Sequence, residues 1–165
     1  METPDDTTMR RTAPRRRGYS RQLPMNRFRA FGFWILVLVS AFYAYGALVH
    51  VLNIVGLSGF EWSSAPLKWK SLDVIYLLLD VTVCMGLFRG LSISILAFYS
   101  AGLSQTVLYT RLRSWIMDVP DAVAITPDQD SYLSVLVIFH VTALLLVSFS
   151  LWVKAGLTAG HPLDT

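Results

Sequence analysis

Residues 71–88 read SLDVIYLLLDVTVCMGLF, an apolar run broken twice by carboxylates, Asp73 and Asp80. A run of this length and composition is a membrane-spanning helix. A carboxylate at the centre of such a helix costs roughly 2.5–3.5 kcal/mol on insertion scales, so it persists only with a partner, a water-filled cavity or a function. The neighbouring apolar runs supply the polar groups that can partner it: His50, Asn53, Gln105 and His140.

The rest of the chain agrees with a membrane setting. Of its 165 residues 54% are hydrophobic and 15% charged, and the mean hydropathy of +0.51 is too high for an ordinary soluble domain of this size. The chain reads as one small membrane domain. Charge is segregated, with most arginines before residue 30. The single cysteine, Cys84, excludes an internal disulfide, a CxxC redox pair and a cysteine-rich metal site, and reads as a small buried hydrophobe. There is no glycine-rich phosphate loop, HExxH or GxSxG. No catalytic residue is therefore assigned, and an enzyme reading has no motif behind it.

Residues 1–29 carry Pro4, Pro14, Pro24, Arg10-Arg11 and Arg15-Arg16-Arg17 with almost nothing aliphatic to bury, the composition of a disordered basic tail. The apolar stretch that follows is about twice as long as a signal-peptide core, so the tail stays attached. Its arginines are held by anionic lipid headgroups at about 1 kcal/mol each and place the N-terminus in the cytoplasm. Nucleic acid is not an expected partner, because no aromatics are interleaved with the arginines.

Four spans follow, at about 30–56, 71–88, 91–109 and 132–153. On the first, Tyr43, Gly46, His50 and Asn53 recur at three- and four-residue intervals and share one inward face. Residues 56–70 form an outer loop anchored by Trp62 and Trp69. Arg89-Gly90 is a tight turn that makes the second and third spans antiparallel neighbours. Asp73, Tyr76, Asp80 and Cys84 line one stripe of the second; Phe98, Gly102, Gln105 and Tyr109 do so on the third. A second outer loop carries Arg111, Arg113 and Trp115. Thr126-Pro127-Asp128-Gln129 has the form of a capping box that opens the last helix, and Lys154 suits its cytoplasmic end. The expected fold is all-α: an antiparallel four-transmembrane-helix bundle over residues 30–156, with a short tail at 157–165.

At 1.5 Å per residue, His50 lies roughly 9 Å inside the outer membrane face, His140 about 12 Å, Gln105 about 6–8 Å, Asp73 about 3 Å and Asp80 about 14 Å. His50, Asn53, Asp73, Tyr76, Asp80, Gln105 and His140 are thus the candidates for one polar pocket that opens outwards, capped by the loops that carry Glu61 and Arg111. The alternative is structural: Asp80 protonated or hydrogen-bonded across the bundle, Asp73 solvated at the interface, and each histidine satisfied by one good partner. Haem ligation by His50 and His140 requires equal depth and room for a macrocycle. A metal site lacks any local ligand spacing. No metal and no cofactor is predicted.

Three stretches resemble the DoxX-like family of small four-helix membrane proteins: GALVHVLNIVGLSG at 46–59, the acid-bearing second span that leads into GLFRG at 86–90, and DVPDAVAI followed by DQDSYLSVLVIF over 118–139. The pattern covers about residues 40–150. The family commonly has glutamate where this chain has Asp80, here accompanied by Asp73. The resemblance implies an integral membrane protein associated with redox or stress-related complexes, often without an activity of its own.

The expected function is a small accessory or structural subunit of a membrane complex, redox-related on the strength of the resemblance, with a pocket for a small ligand such as a quinone. Other membrane subunits or a second copy of the chain are its expected protein partners. The alternative is a small transporter or proton relay that uses Asp80 and the membrane histidines, and the third is a haem- or quinone-linked oxidoreductase. The expected location is the bacterial cytoplasmic (inner) membrane, with both termini in the cytoplasm.

Overall fold

The computed structural model describes residues 23–58, 61–119 and 126–159. These form helices α1 (Leu23–Ile54), α2 (Leu67–Gly86), α3 (Ser92–Thr110), the short α4 (Arg113–Met117) and α5 (Pro127–Ala159). Among the described residues there is no strand. The predicted all-helical class is therefore observed.

The helices extend beyond the predicted spans where local capping chemistry carries them past the edge of the apolar run. Helix α1 starts at Leu23, so residues 23–29 belong to the helix and not to the tail. Pro24 sits in the first turn, where its missing N–H is not needed, and the leucine, methionine and arginines around it are good helix formers. The remainder of the predicted tail, residues 1–22, lies outside the described residues. Helix α2 starts at Leu67, four residues before the predicted span, because Pro66 at its N-cap is held at φ −57° and ψ 145° and hands the chain straight into the helix. At the other end of the chain α5 opens at Pro127 as its capping pattern predicts, with the Asp130 N–H donating to Thr126 O at 2.9 Å. It runs on to Ala159, into the predicted tail, of which residues 160–165 lie outside the described set.

Lys68 and Lys70 fall in the first turn of α2, where the helix dipole disfavours a positive charge. Both are tied to backbone carbonyls: Lys68 Nζ donates to Trp115 O at 2.6 Å and to Asp118 O, and Lys70 Nζ to Ser63 O at 2.8 Å. The Lys68 contacts explain α4, a helix inside a stretch predicted to be loop. Trp69 Nε1 donates to Ile116 O at 3.0 Å, and Ile116 is buried in a small cluster with Tyr76 and Leu108. Arg113 clamps α4 to α5 through Asp130 Oδ1, which it reaches from Nε at 3.0 Å and from Nη2 at 2.5 Å.

The long helices pack in pairs, α1 on α2 and α5, and α3 on α2 and α5. At the end remote from α4, the chain turns from α2 into α3 through Gly90, whose φ of +74° is a left-handed conformation that glycine adopts without strain. This half of the molecule is closed by a dry core in which Val83, Leu87, Phe98 and Val147 are fully buried.

The outward faces are apolar. Trp34, Leu38 and Leu48 on α1, Leu78 and Met85 on α2, Ile93 and Leu96 on α3, and Ile138, Leu145 and Trp152 on α5 are all exposed. On α2 the amphipathicity of a soluble helix is inverted: Asp73, Tyr76 and Asp80 are buried while Ile75, Leu78 and Met85 face out. Two segments, Ala30–Ile54 of α1 and Asp130–Ala155 of α5, are long and apolar enough to cross a membrane.

Candidate ligand pocket

The four long helices leave a cavity of about 230 Å³ at the α4 end. Helical spacing puts Tyr43, Gly46, His50 and Asn53 on one face of α1, and that face lines the cavity. Asp73 and Asp80 reach it from α2, Gln105 from α3 and His140 from α5. Six of the seven residues selected from the sequence thus meet in one place.

His50 is the centre of the arrangement. Its Nδ1 lies 2.5 Å from Asp73 Oδ1, so the proton sits on that nitrogen and the carboxylate accepts it. Asn53 Nδ2 donates to the same oxygen at 3.3 Å. On the other side of the ring, Nε2 is 3.8 Å from Asp80 Oδ2. The imidazole therefore stands between two carboxylates, in short contact with one and in longer range of the other. Tyr76, the seventh candidate, does not line the cavity. It lies behind His50 with ring centroids 6.2 Å apart and planes 22° from parallel, and its hydroxyl donates to Ser104 Oγ at 3.1 Å. Its part is to support the His50 ring.

Asp80 is only 3% exposed. A Cβ at position 46 would collide with its Oδ2, so the absence of a side chain at Gly46 is what admits the carboxylate between α1 and α2. Its Oδ1 has no hydrogen-bond partner among the described residues; the same holds for the buried hydroxyls of Tyr43 and Ser40. Asp80 and Tyr43 line the cavity and Ser40 does not; buried polar atoms are nearly always satisfied, so unsatisfied ones need an explanation.

His140, also 3% exposed, donates from Nδ1 to Leu136 O at 2.7 Å, one turn back on its own helix. With the proton on Nδ1, the neutral ring keeps its lone pair on Nε2. The ring meets Tyr43 edge-on, with centroids 6.1 Å apart. His50 and His140 thus do different things: one is bound to an acid and the other to a backbone carbonyl.

Glu61 and Arg111, expected to cap the pocket, are exposed and do not line it. Their place is taken by Tyr109 and Tyr132, and the Arg113–Asp130 clamp holds the adjacent helix ends together. Cys84 is also displaced from its predicted stripe: it is half-buried, and Val83 takes the fully buried position. The sequence reading places Tyr109 on the inward stripe of the third span without counting it a pocket residue and does not single out Tyr132, which spacing could have found. Tyr109 is one turn beyond Gln105, and Tyr132 and Leu136 precede His140 at four-residue steps.

Comparison with protein-family models, curated proteins and solved structures finds no match to this chain. What the pocket does has to be argued from its chemistry. It offers two carboxylates, two imidazoles and two amides beside tyrosine rings.

Proposed function

We propose that this chain is a small integral membrane protein that crosses the bilayer four times, in an antiparallel bundle with both termini cytoplasmic, and serves as a ligand-binding accessory subunit of a membrane complex. The observation that carries the reading is the cavity to which all four long helices contribute a polar side chain, half-buried at His50 and buried at Asp73, Asp80, Gln105 and His140. A bundle built only for stability has no use for a cavity lined by unsatisfied polar atoms, each of which costs about 1–3 kcal/mol.

The apolar outer surface supports four spans. At 1.5 Å per residue, the 20 residues of α2 and 19 of α3 reach about 30 Å, the thickness of the hydrocarbon core. Their polar residues point inward, where lipid does not meet them. On this orientation the pocket lies in the outer half and the dry core around Phe98 in the cytoplasmic half. The family resemblance to DoxX-like proteins adds a redox setting, the bacterial inner membrane, and a second copy or other subunits as partners.

A proton relay or transporter is the second reading, favoured by the Asp73–His50–Asp80 line of groups. Against it, Val83, Leu87, Phe98 and Val147 beyond the line are apolar and fully buried, and the buried hydroxyls of Ser94 and Ser150 are tied to backbone carbonyls. Haem ligation at His50 would have to displace Asp73 from Nδ1 or insert between Nε2 and Asp80.

Two measurements on one preparation decide between them. Native mass spectrometry of the protein in lipid discs is expected to show a bound small molecule or a partner chain that is lost in Asp73→Leu. In liposomes under a pH gradient, the wild type is expected to leak no faster than empty vesicles. A leak abolished by Asp80→Asn would replace the accessory reading with the relay.

A further inference from the structure

The charge and hydrogen-bond inventory of the cavity specifies a class of ligand, on the assumption that the pocket reading above holds. Asp73 already accepts from His50 and Asn53 through one oxygen. Asp80 stands opposite with Oδ1 unpartnered, and the Tyr43 hydroxyl is unpartnered too; both residues line the cavity. His50 can bring at most one positive charge to two carboxylates. No lysine or arginine lines the cavity; Lys68 and Lys70 reach backbone carbonyls and Arg113 reaches Asp130. With both carboxylates ionised one negative charge lacks a counter-charge, in a place where that is expensive, so Asp80 either holds a proton or meets a cation.

We propose that the cavity binds a small organic ammonium, whose N–H groups donate to the Asp80 carboxylate and to the Tyr43 oxygen while its hydrocarbon lies against the rings of Tyr109 and Tyr132. A carboxylate oxygen accepts, so the group that completes Asp80 must donate, and a charged donor makes the stronger bond. Aromatic faces attract an ammonium but do not ligate a metal ion. The cavity of about 230 Å³ is larger than one bare ion needs and below the ~300–1,000 Å³ of pockets for drug-sized ligands. An anionic ligand would meet both carboxylates, and a neutral one would leave the surplus charge in place.

The test uses three matched probes on the full chain in detergent, followed by titration calorimetry: 2-phenylethylammonium, neutral 2-phenylethanol and anionic 3-phenylpropionate. The ammonium is expected to bind saturably, with the alcohol and the anion at least about tenfold weaker. Asp80→Asn should weaken the ammonium by about tenfold or more and leave the alcohol unchanged. Tyr43→Phe keeps the ring, removes the second acceptor and should weaken the ammonium several-fold; should Asp80→Asn fail to fold, this variant decides, and unaltered ammonium affinity in it overturns the proposal. Equal binding of alcohol or anion, or ammonium binding that survives Asp80→Asn, overturns the ammonium class and leaves the pocket standing. If none of the three probes binds saturably, the pocket reading falls with it.

Discussion

Gly46 occupies the position where α1 would otherwise exclude Asp80: a methyl group there meets Asp80 Oδ2. Gly46→Ala is therefore expected to push the Asp80 carboxylate away from α1, an overpacking cost of about 1–3 kcal/mol offset by about 1 kcal/mol of helix propensity, and to weaken ligand binding; unchanged binding would mean that the carboxylate is not held against α1. At Asp80 itself two substitutions separate a site acid from a structural one. Asp80→Asn keeps the shape and most of the hydrogen-bonding capacity, and it should fold and assemble like the wild type while ligand binding is lost. Asp80→Leu sets an apolar side chain against His50 Nε2 and is expected to destabilise by about 1–3 kcal/mol. If Asp80→Leu leaves both stability and binding intact, this acid organises nothing. The acids and His50 were legible in the sequence because their residue types contradict their apolar surroundings. The unsatisfied Tyr43 hydroxyl was not, since a tyrosine on a helix face is ordinary until its neighbours are known.

Among the elements, α4 is the one that periodicity could not reveal. Five residues are too few to hold a helix on their own, and α4 exists because α2 and α5 hold it: Lys68 and Trp69 bind its carbonyls and Arg113 reaches Asp130. Trp69, which reads as a membrane-interface anchor, turns its indole N–H to Ile116 O instead. Trp69→Phe keeps the ring and removes that bond, a net loss of about 1 kcal/mol. Amide exchange should quicken at residues 113–117 and stay unchanged through α3. Uniform acceleration in both would show that α4 is not a separately held element. The start of α5 was readable for the opposite reason, because a threonine followed by proline is a signal contained within the local chain.

For the molecule as a whole, the proposed topology is tested by labelling in a Cys84→Ala background. Ser20→Cys and Thr158→Cys should be shielded from an impermeant reagent in intact cells, and Ser63→Cys or Asp121→Cys should react. Labelling at position 20 with protection at position 63 would invert the orientation. The apolar exterior gives a second check: removal from detergent without lipid should drive the protein to aggregate, because the exposed side chains of Trp34, Leu38, Leu78, Leu145 and Trp152 form a surface too apolar for water.

Composition and periodicity alone determined the helical class, the apolar runs and the faces within each helix, since 3.6 residues per turn dictate that Tyr43, Gly46, His50 and Asn53 align whatever surrounds them. Which faces meet is a different matter, settled by the fit of four surfaces at once. Only the tertiary structure decided that His50 binds Asp73 closely and Asp80 at longer range, that Tyr76 stands behind the imidazole and outside the cavity, and that His140 uses its Nδ1 proton on its own helix. Depth along a helix axis can be counted from the sequence to within about a turn. Hydrogen bonds are decided within a few tenths of an ångström, so the acceptor left unpaired at Asp80 became visible only when the helices were packed together.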